Sequence, residues 1–148
     1  MAALCGYALA DLAPQLPPAR ILAGAEHLFL ALRERAALQA MRYDFQAGQA
    51  FMREAGVATI LLASMAHPRL FHVRNAFAFG GVYEDPATGA AAAALGGYLR
   101  DLAWPHGGAI ELHQGDDMGV PCRLHAEIGP VRGGAVRLSG AARFMDER

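Results

Sequence analysis

Small or apolar residues alternate with mostly polar ones along the last part of the chain. The alternation runs through residues 123–128 and again through residues 136–144. A period of two places successive side chains on opposite faces of a β-strand, so both stretches predict half-exposed strands. The intervening GPVRGG has the glycines of a hairpin turn and predicts that these strands pair antiparallel. HGGAIELHQG predicts another short strand before them.

Apolar runs in the first half of the chain are longer than this alternation allows. VATILLA is nearly continuous and of strand length, which is typical of a strand buried on both faces. The turn HPR then leads into a further strand, FHVRNAF. Upstream, RILAGAEHLFLALR follows a proline-rich segment and contains Gly24, and we interpret it as strands rather than as a helix.

Three segments predict short helices. The stretch from Ala3 to Leu12 is closed by the prolines of APQLPPAR, which cannot continue a helix. RERAALQAM predicts a second helix, and Asp44 is a suitable N-cap for a third, FQAGQAFMREA, which Gly56 would end. We expect the last two to cover a sheet.

The helix predicted after Thr88 is of a different kind. Its sequence, GAAAAALGGYLRDL, leaves no broad polar face, and a helix that is apolar all round belongs in a core. We therefore predict an α+β fold with one domain, residues 1–148, in which a curved, largely antiparallel, barrel-like sheet wraps around this central buried helix. The helix is expected to begin in the interior of the protein.

Composition narrows the choice of partners. The 148 residues are 54% hydrophobic, and the formal net charge of −1 offers no field that would attract nucleic acid or an anionic membrane surface. Cys5 and Cys122 have no CxxC spacing, so we predict a reducing, cytoplasmic location. The apolar N-terminus meets Asp11 and Pro14 too early for a membrane span, and we expect none. The six histidines show no close ligand pair, although His113 and His125 could meet across neighbouring strands, and we expect no metal site.

Two acids, Glu84 and Asp85, stand directly before the apolar helix. A helix start presents amide N–H groups without intrahelical partners and the positive end of the helix dipole, so it can receive an anion. Thr88 can cap the helix, and Gly89 lets a ligand approach the backbone. A carboxylate held there can exchange a proton with a bound acid. The structural alternative is that both acids only complement the dipole or cap the turn.

The segment FAFGGVYEDPATGAAAAALGGYL resembles the EDPATGSA segment of the PhzF-like family, the phenazine-biosynthesis isomerases with the diaminopimelate-epimerase fold. QGDDMGVP is similar to that family's QG-x-x-MGRPS stretch, and Arg74 and SGAARF also fall in comparable places. The resemblance covers nearly the whole chain but corresponds to the C-terminal half of the family alone. It implies a cofactor-independent isomerase or epimerase that acts on a small carboxylic acid.

The same resemblance assigns roles to individual residues. Asp85 matches the catalytic aspartate of the motif, and Thr88 and Gly89 match its threonine and glycine. Ala90 replaces the following serine, so the hydroxyl is lost while the backbone amide remains; together with Ala91 these residues form the expected substrate-binding group. Val120 and Cys122 stand where the family usually has Arg and Ser, which puts substrate contacts from that loop in question.

No segment resembles the first half, which supplies the family's catalytic glutamate. Proton transfer across a substrate needs groups on both sides, so Asp85 alone is not expected to complete the reaction. Three explanations stay open: a separately encoded N-terminal half, a homodimer that imitates the two-half arrangement, or a non-catalytic ligand-binding or interaction domain. An apolar surface left uncovered around the helix start would favour self-association.

Overall fold

The computed structural model describes residues 1–142. Seven strands form a single sheet in sequence order: β1 (Ala19–Ala23), β2 (Ala25–Leu32), β3 (Thr59–His67), β4 (Leu70–Ala76), β5 (Ala109–Gln114), β6 (Cys122–Ile128) and β7 (Val136–Gly140). Two neighbouring pairs are parallel, β2 with β3 and β4 with β5, and the other pairs are antiparallel.

Each parallel pair needs a crossover connection, and helices supply both. Helices α1 (Arg35–Gln39) and α2 (Phe45–Ala55) connect β2 to β3, while α3 (Gly89–Asp101) lies between β4 and β5. The predicted cap of α2 is confirmed, because the Asp44 side chain accepts from the Ala47 amide at 2.7 Å. Gly56 ends that helix with a φ of 65°.

The central strands have apolar side chains on both faces because helices cover both. Phe29 of β2 and Leu61 of β3 face the core under α3, whereas their neighbours Leu30 and Leu62 face a second core under α1 and α2. This two-sided burial explains the nearly continuous apolar runs of these strands. β6 and β7 are covered on one face only, and their alternating sequences follow from that.

Helix α3 is enclosed by the two edges of the sheet. The Tyr98 hydroxyl donates to the Pro17 carbonyl before β1 at 2.7 Å, and Arg100 donates to the Gly134 carbonyl before β7 at 3.0 Å. A Cβ at Gly96 would lie 3.2 Å from Ile128 and Val136 side-chain atoms, so glycine allows the close approach of helix and sheet. The prediction of a curved sheet around an alanine-rich helix is confirmed.

The first predicted helix is wrong as one continuous element. Ala2–Cys5 and Leu9–Asp11 form separate 3-10 turns, because Gly6 takes a left-handed conformation with φ 81° and ends the first of them. Cys5 and Tyr7 of this segment pack into the core under α1 and α2. Residues 143 and 144, at the end of the predicted last strand, lie outside the described residues. No helix within residues 1–142 is long and apolar enough to cross a membrane.

Candidate active site at the start of helix α3

Glu84 is a buried structural residue. Its carboxylate accepts two hydrogen bonds from Arg74 of β4, at 2.6 and 3.0 Å, and the two side chains are 4% and 9% exposed. Arg74 also donates to backbone carbonyls at the end of α1, among them that of Gln39 at 2.9 Å. The hydrogen bond with Glu84 raises the pKa of Arg74. Glu84 therefore neither caps α3 nor complements its dipole; it ties the preceding loop to the sheet.

Asp85 lies on the other side of the sheet and is only half-buried. Its amide donates to the Asn75 carbonyl at 3.0 Å, and its Oδ2 accepts from the Thr88 hydroxyl at 2.5 Å. The described residues give Oδ1 no hydrogen bond. One carboxylate oxygen is thus fixed by the protein, and the other is available to a ligand.

Two amide side chains fix the direction of the Thr88 hydroxyl. Asn75 Nδ2 donates to Thr88 Oγ1 at 2.7 Å, and Gln114 Nε2 donates to the same atom at 3.0 Å. Gln114 is itself oriented, because its Oε1 accepts from the Thr88 amide at 3.1 Å. A hydroxyl has two acceptor lone pairs and one donor hydrogen. With both lone pairs occupied, its hydrogen points to Asp85.

The first amides of α3 are left for another partner. Thr88 occupies the N-cap position without a side-chain cap, so the predicted capping role of its hydroxyl is wrong: Asp85 takes the hydrogen and the amide donors take the lone pairs. The first helical hydrogen bond runs from the Ala92 amide to the Thr88 carbonyl at 3.1 Å. The amides of Gly89, Ala90 and Ala91 precede it and have no intrahelical acceptor.

The helix start is open to solvent, which corrects the expectation of an interior start. Gly89 and Ala90 are exposed, and burial begins at Ala91 and continues through Leu99 on the sheet side. The body of α3 is in the core because the sheet encloses it, but no described element covers its first turn. A small anion can therefore reach these amides, and a helix N-terminus favours negative charge.

A second loop, which follows β5 and begins at Gly115, borders the site. Gly115 has a φ of 81°, and a Cβ there would lie 2.1 Å from the Val120 carbonyl oxygen and 3.1 Å from that of Pro86. Only glycine allows the chain to turn so tightly against the segment that holds Asp85. Val120 is exposed in this loop, and the half-buried Cys122 donates through Sγ to the Val120 carbonyl at 3.4 Å.

Large exposed apolar side chains occur in the two loops that precede α3 and follow β5 in the chain. Phe79, Val82 and Tyr83 precede Asp85 in the chain, and Met118 and Val120 follow Gly115. They are 37% to 51% exposed, and their side chains are large. Concentrations of exposed apolar surface usually mark interaction sites.

The histidines are less scattered than their spacing suggests. The rings of His72 and His113 lie 5.3 Å apart, centroid to centroid, whereas the residue opposite His113 on β6 is Arg123 rather than His125. Together with Asp116 they make, within residues 1–142, the one group of three His, Cys, Asp or Glu side chains close enough to share a metal ion. Asp85 is not part of it.

Comparison with known proteins identifies the family. A family model described as "PhzC-PhzF: Phenazine biosynthesis-like protein" matches residues 1–148. The chain belongs to this family. Within it, the chain is 41% identical over 81 residues to an uncharacterized isomerase from Mesorhizobium japonicum, a match that covers 51% of the chain and 26% of that protein. It is 36% identical over 129 residues to the trans-2,3-dihydro-3-hydroxyanthranilate isomerase of Pseudomonas aeruginosa, covering 84% of the chain and 45% of that protein.

Solved structures of PhzF-like proteins share the fold. A structure described as a predicted epimerase from Pseudomonas aeruginosa matches with a TM-score of 0.71 and 25% identity, over 95% of this chain and 49% of that one. The PhzF-family phenazine biosynthesis protein of Bacillus anthracis matches with a TM-score of 0.70 and 18% identity, over 93% and 48%. The chain therefore spans about half the length of these PhzF-like proteins.

The sequence singled out Asp85 and Thr88 as candidates but not the two residues that hold them, Asn75 and Gln114. Gln114 opens the QGDDMGVP stretch, so a signal was present without a role attached to it. Asn75 lies in FHVRNAF and gives no signal, because its importance comes from a contact with Thr88, 13 residues further along the chain.

Proposed function

We propose that this chain is equivalent to the C-terminal half of a PhzF-like isomerase and takes part in cofactor-independent proton transfer on a small carboxylic acid. Asp85 is the proton-transferring group of this half. The amides of Gly89, Ala90 and Ala91 receive the substrate carboxylate, and Thr88, whose own donors are bonded to Gln114 and Asp85, holds Asp85 in place. The observation that carries the proposal is the Asp85 carboxylate before the first turn of α3: Thr88 fixes its Oδ2, and its Oδ1 accepts no hydrogen bond from residues 1–142.

The geometry supports a division of labour between charge binding and proton transfer. A substrate carboxylate on the amides of Gly89–Ala91 is stabilised by hydrogen bonds and by the helix dipole. Its neighbouring carbon then faces the unbonded Oδ1 of Asp85, which can take or return a proton. Thr88 keeps the other oxygen in place, so Asp85 does not rotate away while the substrate binds.

A second group is needed on the opposite face of the substrate, and we propose that another polypeptide half supplies it. The chain spans 49% and 48% of the PhzF-like structures that it matches. We propose that such a half packs on exposed apolar side chains of the loops that precede α3 and follow β5. The partner is either a separately encoded N-terminal half or a second copy of this chain.

A non-catalytic ligand-binding or interaction domain is the second candidate. Ala90, Val120 and Cys122 favour it, since each departs from the side chain that the PhzF-like pattern has at that place. The acid-binding helix start would then serve recognition without turnover.

Solvent deuterium exchange distinguishes the two candidates. The chain is assayed alone and after fusion to the N-terminal half of the Pseudomonas aeruginosa isomerase, with trans-2,3-dihydro-3-hydroxyanthranilate and a panel of small hydroxy and amino acids. Light scattering after size exclusion gives the oligomeric state of each sample. We expect exchange in the fusion protein or in a homodimer.

Asp85→Asn should reduce this exchange by about 10³-fold, within the range for loss of a general acid or base. The matched control is Asp101→Asn, which removes an exposed acid from the other end of α3 and should leave exchange unchanged. A monomer that exchanges no deuterium alone or as the fusion, or an Asp85→Asn variant as active as the unmodified protein, would overturn the catalytic proposal.

A further inference from the structure

His72 and His113 stand side by side on the face of the sheet opposite to Asp85. They are register partners in the parallel pair β4–β5. Their sequence neighbours Val73 and Leu112 point into the core under α3, so alternation along the strands places both imidazoles on the other face. This position separates them from the proposed proton-transfer site.

The tight turn after β5 brings a carboxylate to the two rings. Gly115 reverses the chain, and Asp116 follows it directly. Asp117 next to it accepts two hydrogen bonds from Arg35 of α1, at 2.8 and 2.9 Å, which anchors this loop on the same face as the histidines. One ligand atom each from His72, His113 and Asp116 then lie within 4.8 Å of one another.

Two imidazoles and a carboxylate are a ligand set that divalent transition metals prefer, and Zn²⁺ binds such sets with a fourth position left to water. Metal–ligand bonds are about 2.0 to 2.2 Å, so two ligand atoms on one ion lie at most about 4.4 Å apart. The three ligand atoms already lie within 4.8 Å of one another. The site thus needs small side-chain movements and no rearrangement of the strands.

His72 has an unusual environment for a histidine without a ligand. Its Nδ1 is buried and has no hydrogen-bond partner among the described residues. Buried polar atoms are nearly always paired, so this nitrogen calls for an explanation.

The positive charge of Arg123 lowers the affinity of the three side chains for a cation. Arg123 donates to both oxygens of Asp116, at 2.9 and 3.1 Å, and its side chain is half-exposed. A carboxylate has about four acceptor positions, so Asp116 can keep a contact with Arg123 and still bind an ion. Glu111, 3.9 Å from His113 Nε2, adds a compensating negative charge on the same face.

We propose that His72, His113 and Asp116 form a binding site for a divalent transition-metal ion, with Zn²⁺ as the ion that their chemistry fits best. The ion joins β4 and β5 to the loop that begins at Gly115. Gln114, the last residue of β5, stands directly before that loop and orients Thr88 on the other face of the sheet. The role of the ion is structural: it holds the loop in place against the sheet.

Metal titration of the full chain tests the site directly. The purified protein is treated with EDTA, dialysed and titrated with Zn²⁺ against a chromophoric chelator, and separately with Co²⁺ to record ligand-field absorption bands. We expect one equivalent of Zn²⁺ to bind, a tetrahedral Co²⁺ spectrum, and a rise in the melting temperature with Zn²⁺.

His113→Gln and Asp116→Asn should each weaken Zn²⁺ binding at least about tenfold and remove the Co²⁺ bands. His125→Gln is the matched control, because His125 lies on the neighbouring strand β6 but outside the group, and it should bind as the unmodified protein does. Circular dichroism and melting without metal show whether each variant is folded. Absence of saturable binding, or equal binding in folded His113→Gln and Asp116→Asn, would overturn the proposal.

Discussion

Two polar clusters lie on opposite faces of β4, and they differ in what they leave unsatisfied. On the α1 side, Arg74 and Glu84 are buried and bonded to each other and to backbone carbonyls. On the α3 side, Asn75, Thr88 and Gln114 are bonded, but Asp85 Oδ1 accepts no hydrogen bond from residues 1–142, and the first helix amides have no intrahelical acceptor. The closed cluster stabilises the fold, and the open cluster has bonding capacity left for a ligand.

Strand geometry produces this difference between adjacent residues. Glu84 forms an antiparallel bridge with Ala76, and the Asp85 amide bonds to the Asn75 carbonyl. The segment therefore continues the sheet for two residues, and extended backbone sends neighbouring side chains to opposite faces. One acid of the pair is used for structure and the other is presented to the solvent-facing site.

The largest stability effect should come from breaking the closed cluster. Glu84→Gln leaves the buried Arg74 charge without its partner, and loss of one member of a buried ion pair costs about 3 to 5 kcal/mol. Urea denaturation measures the free energy of unfolding. Glu127→Gln is the control, because the Glu127–Arg137 pair is exposed and should contribute less than about 1 kcal/mol. Equal effects of the two substitutions would contradict the structural role of Glu84.

Gly115→Ala should have the next largest effect, a loss of up to about 3 kcal/mol, because a Cβ would meet the Val120 carbonyl and strain a left-handed backbone. Gly129→Ala is a suitable control, since a Cβ there meets nothing within 4 Å and the φ of this glycine is not positive. A thermal or urea melt compares the two. A Gly115→Ala protein as stable as Gly129→Ala would show that the turn is not tight.

Thr88→Val separates positioning from stability within the open cluster. It leaves the donors of Asn75 and Gln114 without their acceptor, at a cost of about 1 to 2 kcal/mol, and it frees the Asp85 side chain. Thr59→Val has a similar cost, because it removes the hydroxyl that bonds His27 in the core. In the deuterium-exchange assay only Thr88→Val should lower the rate. Equal rates in both variants would argue against a positioning role for Thr88.

The smallest expected effect is a pH dependence of stability from His27. Burial lowers its pKa in the folded protein below the usual 6.5. As pH falls through 6.5, the unfolded chain therefore takes up more protons than the folded chain, and the folded state loses at most about 1.3 kcal/mol between pH 7 and pH 5.5. Urea denaturation across this range should show a flatter profile for His27→Gln. An identical slope in both proteins would contradict the assignment.

Sequence patterns predicted those parts of the fold that depend on local periodicity. The apolar run of β3 and the alternation of β6 report how many faces of each strand are covered, and the Asp44 cap marks where α2 begins. The first predicted helix failed because Gly6 ends a turn before a helix can form. The site depends on contacts between distant segments, such as Gln114 with Thr88, 26 residues apart, and no local pattern encodes them.

The central claim is that the first turn of α3 receives a carboxylate next to Asp85. It is tested most directly by titrating the ¹⁵N-labelled chain with benzoate and, in parallel, with neutral benzamide, while the backbone amide resonances are followed by NMR. We predict saturable shifts of the Gly89, Ala90 and Ala91 amides with benzoate alone. Amides that stay unmoved by benzoate, or that shift equally with benzamide, would contradict the claim.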